Sequence, residues 1–584
     1  ANISSRMLNH INIGNARGYC GCPASMAQTP DNSQVILEDI IRQFKEERAP
    51  EMSDAEYFEV FTAEQLLKNY SLSYDEIEAG IVDGEHDGGV DSVFAFVNGE
   101  LITEDFDPSP FKKDVRISLH VIQSKTSKSH SEDAINKLIS VTRNLLDLSK
   151  DIDSLTQFNA EVRKKFSEFR SVYRALASRF PEIEIKYYLA GKRPDVPVPD
   201  NFLIKAAELQ EVAEGHFQGQ QPTVTVDILG ASELLELARQ RPRTTFELKC
   251  TKSLVAENGA IALVRLAELN KFLRDENDEV RVDIFESNVR DFQGSTEVNA
   301  EIKKTLESES TPDFWWLNNG VTVLASKSSI NGDVITIADP QIVNGLQTST
   351  QIANYFGHGG EDAAQRSVMV KVVSSEDEVT RDKIIKATNS QNPIQPATLR
   401  ATDKIQRDIE ESLKASGLYY DRRKNYYKNE GKPADRIISI PLMAQVLMSV
   451  VLGRPDDARA RPSSLIKDDG IYKQLFSEGL PIGLYLSCAR LIKRVDATLR
   501  SAELTSRDRN NMRFYVTAVA AWRAVGSTSP TPQQLAALDV NALDQTAFND
   551  ALAKVILRYN ELGGTDQVAK GQELKKLLQA DLAS

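Results

Sequence analysis

The 584-residue sequence predicts an α/β protein: a mixed sheet flanked by helices, then an α+β segment, then a mainly helical C-terminal region. Three observations lead there. Between Val115 and Lys125, Val115, Ile117, Leu119 and Val121 alternate with Arg116, Ser118 and His120, and Asp91 to Val97 forms a second strand pattern closed by the hairpin dipeptide Asn98-Gly99. Along 158–179, Val162, Phe166, Phe169, Tyr173 and Leu176 recur at steps of four and three, the stripe of a helix buried on one side. From about Asp456 onward the pattern is helical throughout, with Pro462, Pro481, Pro530 and Pro532 marking the breaks.

The elements follow in order. Val35 to Phe44 and Ser53 to Tyr70 read as helices, the second with Ser53 as its N-cap. The Asp91 and Val115 strands come next, and Ser131-Glu132-Asp133 then opens a helix running to about Leu148. Glu182 to Ala190, Thr223 to Leu229 and Thr244 to Leu248 read as further strands with helical pieces between them. At roughly 150 residues per domain the chain is long enough for three or four units. The divisions drawn are 1–30 as an irregular leader, 31–243 as the first unit, 244–465 as the second and 466–584 as the helical region. The greasy stretch Leu442 to Leu452, interrupted by Gln445, is too short for a bilayer and reads as a buried helix, so no membrane association is expected.

A net charge of -14 excludes a protein that holds nucleic acid over its whole surface, because phosphate is repelled by a uniformly acidic molecule. Cys20, Cys22, Cys250 and Cys488 have neither metal-site nor disulfide spacing, which fits a reducing cytoplasm. The first 30 residues contain no apolar signal core, and Met7 and Met26 are candidate starts. There is no Gly-x-x-x-x-Gly-Lys-Ser/Thr phosphate loop.

The chemistry concentrates at the end of the 115–125 pattern. Period two carries Gln123 and Lys125 onto the apolar side, so an amide and an expected buried ammonium emerge beside the carboxylate of Asp91. Asp87-Gly88-Gly89-Val90-Asp91 together with Gln123-Ser124-Lys125 resembles the PD-(D/E)xK phosphodiesterases, in particular their Mrr-type branch, which implies a restriction-endonuclease-like sheet for the first unit. The resemblance implies Asp91, Gln123 and the Ser124 carbonyl as ligands of Mg²⁺ or Mn²⁺, with Lys125 orienting the attacking water. Gln stands where the wider superfamily has an acid. The branch also uses a helix Glu, for which Glu59 matches the Phe-Glu wording and Glu64 falls within the apolar arc of its helix; Glu59 is preferred.

Further on, Asn288 to Gly294, Val298 to Ile302, Phe314-Trp315-Trp316-Leu-Asn318-Asn319-Gly320, Pro340 to Thr348 and Thr388 to Asn392 form an ordered series. The series resembles the AIPR family, named for abortive infection and phage resistance, over roughly Phe246 to Leu465. That resemblance implies bacterial anti-phage defence, and the two resemblances together imply a phage-defence nuclease, with DNA the favoured nucleic acid and phage-defence proteins as partners. The alternative is a noncatalytic nucleic-acid or nucleotide sensor. Asn344-Gly345 before a helix start could hold a phosphate or form part of an internal amide network.

Two local basic stretches are the candidates for nucleic-acid contact. Helix 161–179 sets Arg163, Lys164, Lys165, Arg170, Arg174 and Arg179 against Glu161 and Glu168, a local +4. In Tyr419 to Lys428, the cations Arg422, Arg423 and Lys424 interleave with rings that include Tyr426 and Tyr427, which suits either stacking on bases or a packed tyrosine cluster. The helical C-terminal region is expected to buttress the second unit or to form a homodimer surface.

Overall fold

A computed structural model of the protein describes residues 11–13, 32–70, 72–82, 84–112, 115–125, 132–193, 198–217, 219, 221–239, 245–274, 280–281, 284, 297–308, 313–389, 403–422, 424–461 and 464–583. It is a mixed α/β structure with a mainly helical C-terminal part.

The first unit is built on six strands, β1 (Ile11–Ile13), β2 (Ser92–Val97), β3 (Glu100–Leu101), β4 (Arg116–Lys125), β5 (Glu182–Gly191) and β6 (Thr223–Leu229). Their order in the sheet is β1-β6-β5-β4-β2-β3. β1, β6, β5 and β4 run parallel, while β2 pairs antiparallel with both β4 and β3. Asn98 and Gly99 turn the β2–β3 hairpin with φ of 50° and 85°, the two positive values a type I′ turn requires.

Helices cover both faces. On one side α4 (Glu132–Leu145), α5 (Ala160–Leu176) and α6 (Asp200–Gly215) pack on Ile117, Leu119, Val121, Ile185 and Val226. Val162, Phe166, Phe169 and Leu176 are the buried stripe of α5, each side chain contributing about 1.5–3 kcal/mol of burial. On the other side lie α1 (Asn32–Arg48), α2 (Asp54–Leu66), α3 (Tyr74–Glu78) and α7 (Ala231–Arg239). Ser53 caps α2 in a capping box with Glu56. Because this second layer exists, Ser118 and His120 are buried as well, and the face expected to carry polar residues outward is an interior. His120 bridges Tyr70 Oη at 3.0 Å and Tyr188 Oη at 3.3 Å, and burial holds its imidazole well below the usual pKa. Within the stretch read as an irregular leader, Ile11–Ile13 adds an edge strand; Cys20 and Cys22 lie outside the described residues.

In the middle of the chain β7 (Thr245–Lys249), β8 (Lys252–Ala256), β9 (Gly259–Arg265), β10 (Val321–Ala325), β11 (Lys327–Asn331), β12 (Val334–Ala338), β13 (Gln341–Asn344) and β14 (Ser367–Ser374) form two sheets, β13-β10-β14-β9-β8 and β11-β12-β7. They share a core containing Leu248, Val264, Val321, Ile337 and Val370. The C-terminal helices enclose the largest cluster, centred on the helix Ile440–Val450, whose residues 442–450 are all buried as the sequence pattern indicated. No described helix is long and apolar enough to cross a membrane.

Ion pairs lock the first unit to the rest. Glu104 meets Arg459 at 2.6 Å and Lys164 at 3.4 Å, and also pairs with Lys570. At a second patch α3 presents Glu76 to Lys424 at 2.7 Å and Glu78 to Arg500 at 3.1 Å.

Candidate functional site

Asp91 enters the sheet one residue ahead of β2, and its backbone N–H donates to the Ile122 carbonyl at 3.0 Å. Ser92 is registered against Ile122, which brings Asp91 level with the end of β4. There the Ser124 backbone N–H donates to Asp91 Oδ2 at 2.5 Å. Gln123, 2% exposed, donates through Nε2 to the Gly89 carbonyl at 2.7 Å. Burial pushes the Asp91 carboxyl up to about 7, against the opposing pull of the Ser124 hydrogen bond and the Lys125 ammonium. The Ser124 hydroxyl is buried and has no hydrogen-bond partner among the described residues.

The turn before Asp91 is fitted to this arrangement. Gly88 and Gly89 have φ of 69° and 76°, and Asp87 Oδ1 accepts from the Gly89 N–H at 2.7 Å. A Cβ on Gly88 would lie 2.3 Å from Val141 Cγ2, and one on Gly89 would lie 2.8 Å from Gln123 Nε2. Only glycine allows the backbone to come this close to α4 and to the amide.

Lys125, the last residue of β4, is exposed instead of buried. Two cations that the sequence reading passed over lie close by. The Lys137 side chain runs beside Gly89, and Arg193, just beyond β5, flanks Gly191 opposite the Lys125 carbonyl. Arg193 is buried and caps the carbonyls of Leu189 at 3.1 Å and Leu229 at 2.9 Å. Its position immediately past the strand paired to Lys125 was the available signal.

The two helix carboxylates fare differently. Glu59 is half-buried one turn before Ala63, which packs with Ile122 and Phe94. Glu64 is drawn into ion pairs with Lys428 at 3.3 Å and Arg48 at 3.5 Å. Thus Asp91, Gln123, Ser124 and Lys125 come together at one strand end, and Glu64 serves a contact between units. Among the described residues no group of three or more His, Cys, Asp or Glu gathers as a metal site.

The two basic stretches are engaged within the protein. Arg163 donates to the carbonyls of Asp153 at 2.9 Å and Phe158 at 3.1 Å, Lys164 pairs with Asp566 as well as Glu104, and Arg170 donates to the Lys150 carbonyl at 2.7 Å. Arg422, with its side chain 2% exposed, pairs with Glu410 at 3.0 Å, and Lys424 with Glu76. Tyr427 is buried against Tyr419 and Tyr426 with centroids 5.0 Å apart, the packed-cluster alternative, while Tyr426 remains exposed. Arg423 lies outside the described residues. In the second unit Asn318 Oδ1 accepts from Gly320 N–H at 2.9 Å and Thr348 Oγ1 at 3.2 Å, and Asn344 donates to the Thr388 carbonyl at 3.1 Å. Both amides are thus engaged by hydrogen bonds within the unit. The motifs at 288–294 and 390–392 lie outside the described residues.

Residues 285–565 match the family model described as AIPR protein, a span that continues through most of the C-terminal helices. No curated protein and no solved structure matches the chain.

Proposed function

We propose that the chain is a divalent-metal-dependent endonuclease of bacterial phage defence, with DNA the favoured substrate, in which residues 31–243 form a restriction-endonuclease-like unit. The observation that carries this reading is the meeting of Asp91 with Gln123 and Ser124 across an antiparallel strand pair whose end presents Lys125. A hairpin joined antiparallel to a strand that then runs parallel to β5 is compatible with such a sheet. The AIPR match to residues 285–565 supports the setting of abortive infection and phage resistance.

The donor set fits a hard divalent cation held by few protein ligands. Asp91 is a desolvated carboxylate with one oxygen engaged by Ser124, a condition that favours either a proton or a nearby cation. Asp91, the Gln123 amide oxygen and the Ser124 carbonyl would hold it. When bound, the cation supplies Lewis acidity toward a phosphoryl oxygen. In hydrolysis the water oxygen bonds to phosphorus, the bond from phosphorus to the sugar oxygen breaks, and that oxygen takes up a proton. Lys125 offers an exposed ammonium to the phosphate and orients the water, Gly89 fixes the Gln123 amide, and Glu59 is the preferred helix carboxylate.

The test is incubation with single-stranded, duplex and modified nucleic acids, with Mg²⁺, with Mn²⁺ and with chelator. Cleavage that needs the cation and is abolished by Asp91→Ala or Lys125→Ala is expected. Cation-independent cleavage, or full activity of either variant, would overturn the reading. Tight binding without cleavage under every condition would favour the noncatalytic sensor.

A further inference from the structure

Alternate residues of a strand face opposite ways, and in the five-stranded sheet of the middle unit the two faces differ sharply. Residues 260, 262 and 264 of β9 and 368, 370 and 372 of β14 are buried in the core. Their neighbours form the other face. Register sets Lys252 against Leu263, Leu254 against Ile261, Arg265 against Ser367, Met369 against Leu263 and Lys371 against Ile261. The helix Glu378–Asn389 covers this face over β13, β10 and the Val373 end of β14, where Ile385 and Ile384 pack with Leu324, Val343 and Val373. Among the described residues nothing covers the rest of β14, β9 and β8: Lys252, Arg265 and Lys371 are exposed, as are Leu254 at 71% and Ile261 at 45%.

None of the residues that β8, β9, β14 and β10 contribute to this face is Asp or Glu, in a chain with a net charge of -14. Among the described residues Lys252, Arg265 and Lys371 have no ion-pair partner, unlike Lys164, Arg422 and Lys424. Two exposed indoles belong to a helix that starts beside the end of β14, where Asp313 Oδ1 accepts from the Ser367 N–H at 2.9 Å. Trp315 and Trp316 lie on the short helix Phe314–Leu317 and are 38% and 66% exposed. The chain leaving that helix passes Met369 closely, since a Cβ on Gly320 would come within 3.1 Å of Met369 Cβ.

We infer that this open sheet face, with Lys252, Arg265, Lys371 and the Trp315–Trp316 pair, is a binding platform for single-stranded nucleic acid. Cations without an ion-pair partner among the described residues, on strands that contribute no acid to the face, select a polyanion, and exposed apolar side chains near exposed indoles select one that carries unpaired bases. A duplex hides its base faces and an inorganic polyphosphate has none. The inference deepens the proposed function by naming where nucleic acid is held, and rests on it only for the choice of nucleic acid; hydrolysis is not required.

The experiment uses the full chain carrying Asp91→Ala, in chelator, so that binding is read without cleavage and a failed nuclease reading leaves the measurement intact. Anisotropy of a labelled single-stranded oligonucleotide across a salt series is expected to show at least a tenfold loss for Lys252→Glu with Lys371→Glu. The corresponding Lys252→Ser, Lys371→Ser variant should have a logarithmic salt slope lower by about 0.7 for each lost contact. Lys404→Ser, a surface residue paired with Glu478, is expected to leave binding unchanged. The protein has three tryptophans, of which Trp522 is 1% exposed, so quenching of intrinsic fluorescence reports on Trp315 and Trp316 without any further substitution. Quenching by single strands, stronger than by duplex or polyphosphate, is expected. Unaltered affinity and slope in folded variants, or equal quenching by polyphosphate or anionic lipid vesicles, would overturn the inference.

Discussion

The Gln123 amide nitrogen lies 2.7 Å from the carbonyl oxygen of Gly89 and donates to it in the interior of the first unit. From the sequence alone a Gln123→Glu exchange promises a better metal ligand, but the hydrogen bond assigns it a cost. A carboxylate cannot donate to that carbonyl, and it adds a second negative group beside a carboxyl that burial already raises to about 7. Gln123→Glu is expected to lose about 1–3 kcal/mol without divalent cation, and to regain part of it when Mg²⁺ is added. Thermal melting with and without Mg²⁺ checks this: an unchanged midpoint in chelator would show that the Gly89 contact contributes nothing.

Gly88 makes a complementary prediction. It has φ of 69° and its missing Cβ would lie 2.3 Å from Val141 Cγ2, so Gly88→Ala combines backbone strain with a clash against α4. A loss of about 1–3 kcal/mol is expected. Loosening of the turn should also reach Asp91, so cleavage should fall more than the folded fraction does, measured by circular dichroism beside an activity assay.

Glu59 and Glu64 separate by the same pair of measurements. Glu64→Gln takes the negative charge from Lys428 and Arg48 in a contact between units, and should cost about 1–3 kcal/mol of stability while sparing the chemistry. Glu59→Gln should lose cleavage by far more than any change in its folded fraction. The reverse result would exchange their roles.

Local patterns carried much of the fold and part of the site. Ser53 announced the start of α2, Asn98-Gly99 the hairpin, and period two carried Gln123 to the end of a buried strand. Partners far away in sequence were hidden. The +4 of helix 161–179 says nothing of Glu104 and Asp566, and Glu76 lies 348 residues from the Lys424 it pairs with. The open acid-free face was equally invisible, because its cations come from three separate strands between 252 and 371 and form no basic run. The exposure of Lys125 was not legible for another reason: alternation gives the side of a strand and says nothing of burial at its last residue.

Asp227 supplies a test of the interior that does not depend on activity. It lies on β6 opposite Tyr188 of β5 and Asn12 of β1, with Lys186 the charged group that opposes its shift. Burial raises its carboxyl from 3.8 to about 6. The folded state therefore holds the proton more tightly than the unfolded state. The resulting stabilisation is complete below about pH 4 and is lost as pH rises through 6. The shift corresponds to at most about 3 kcal/mol, and for a half-buried group about 1–2 kcal/mol is expected. Asp227→Asn should therefore melt higher than the parent at pH 7.5 and close to it at pH 4. Parallel melting curves over the whole range would show that Asp227 is solvated and carries no such coupling.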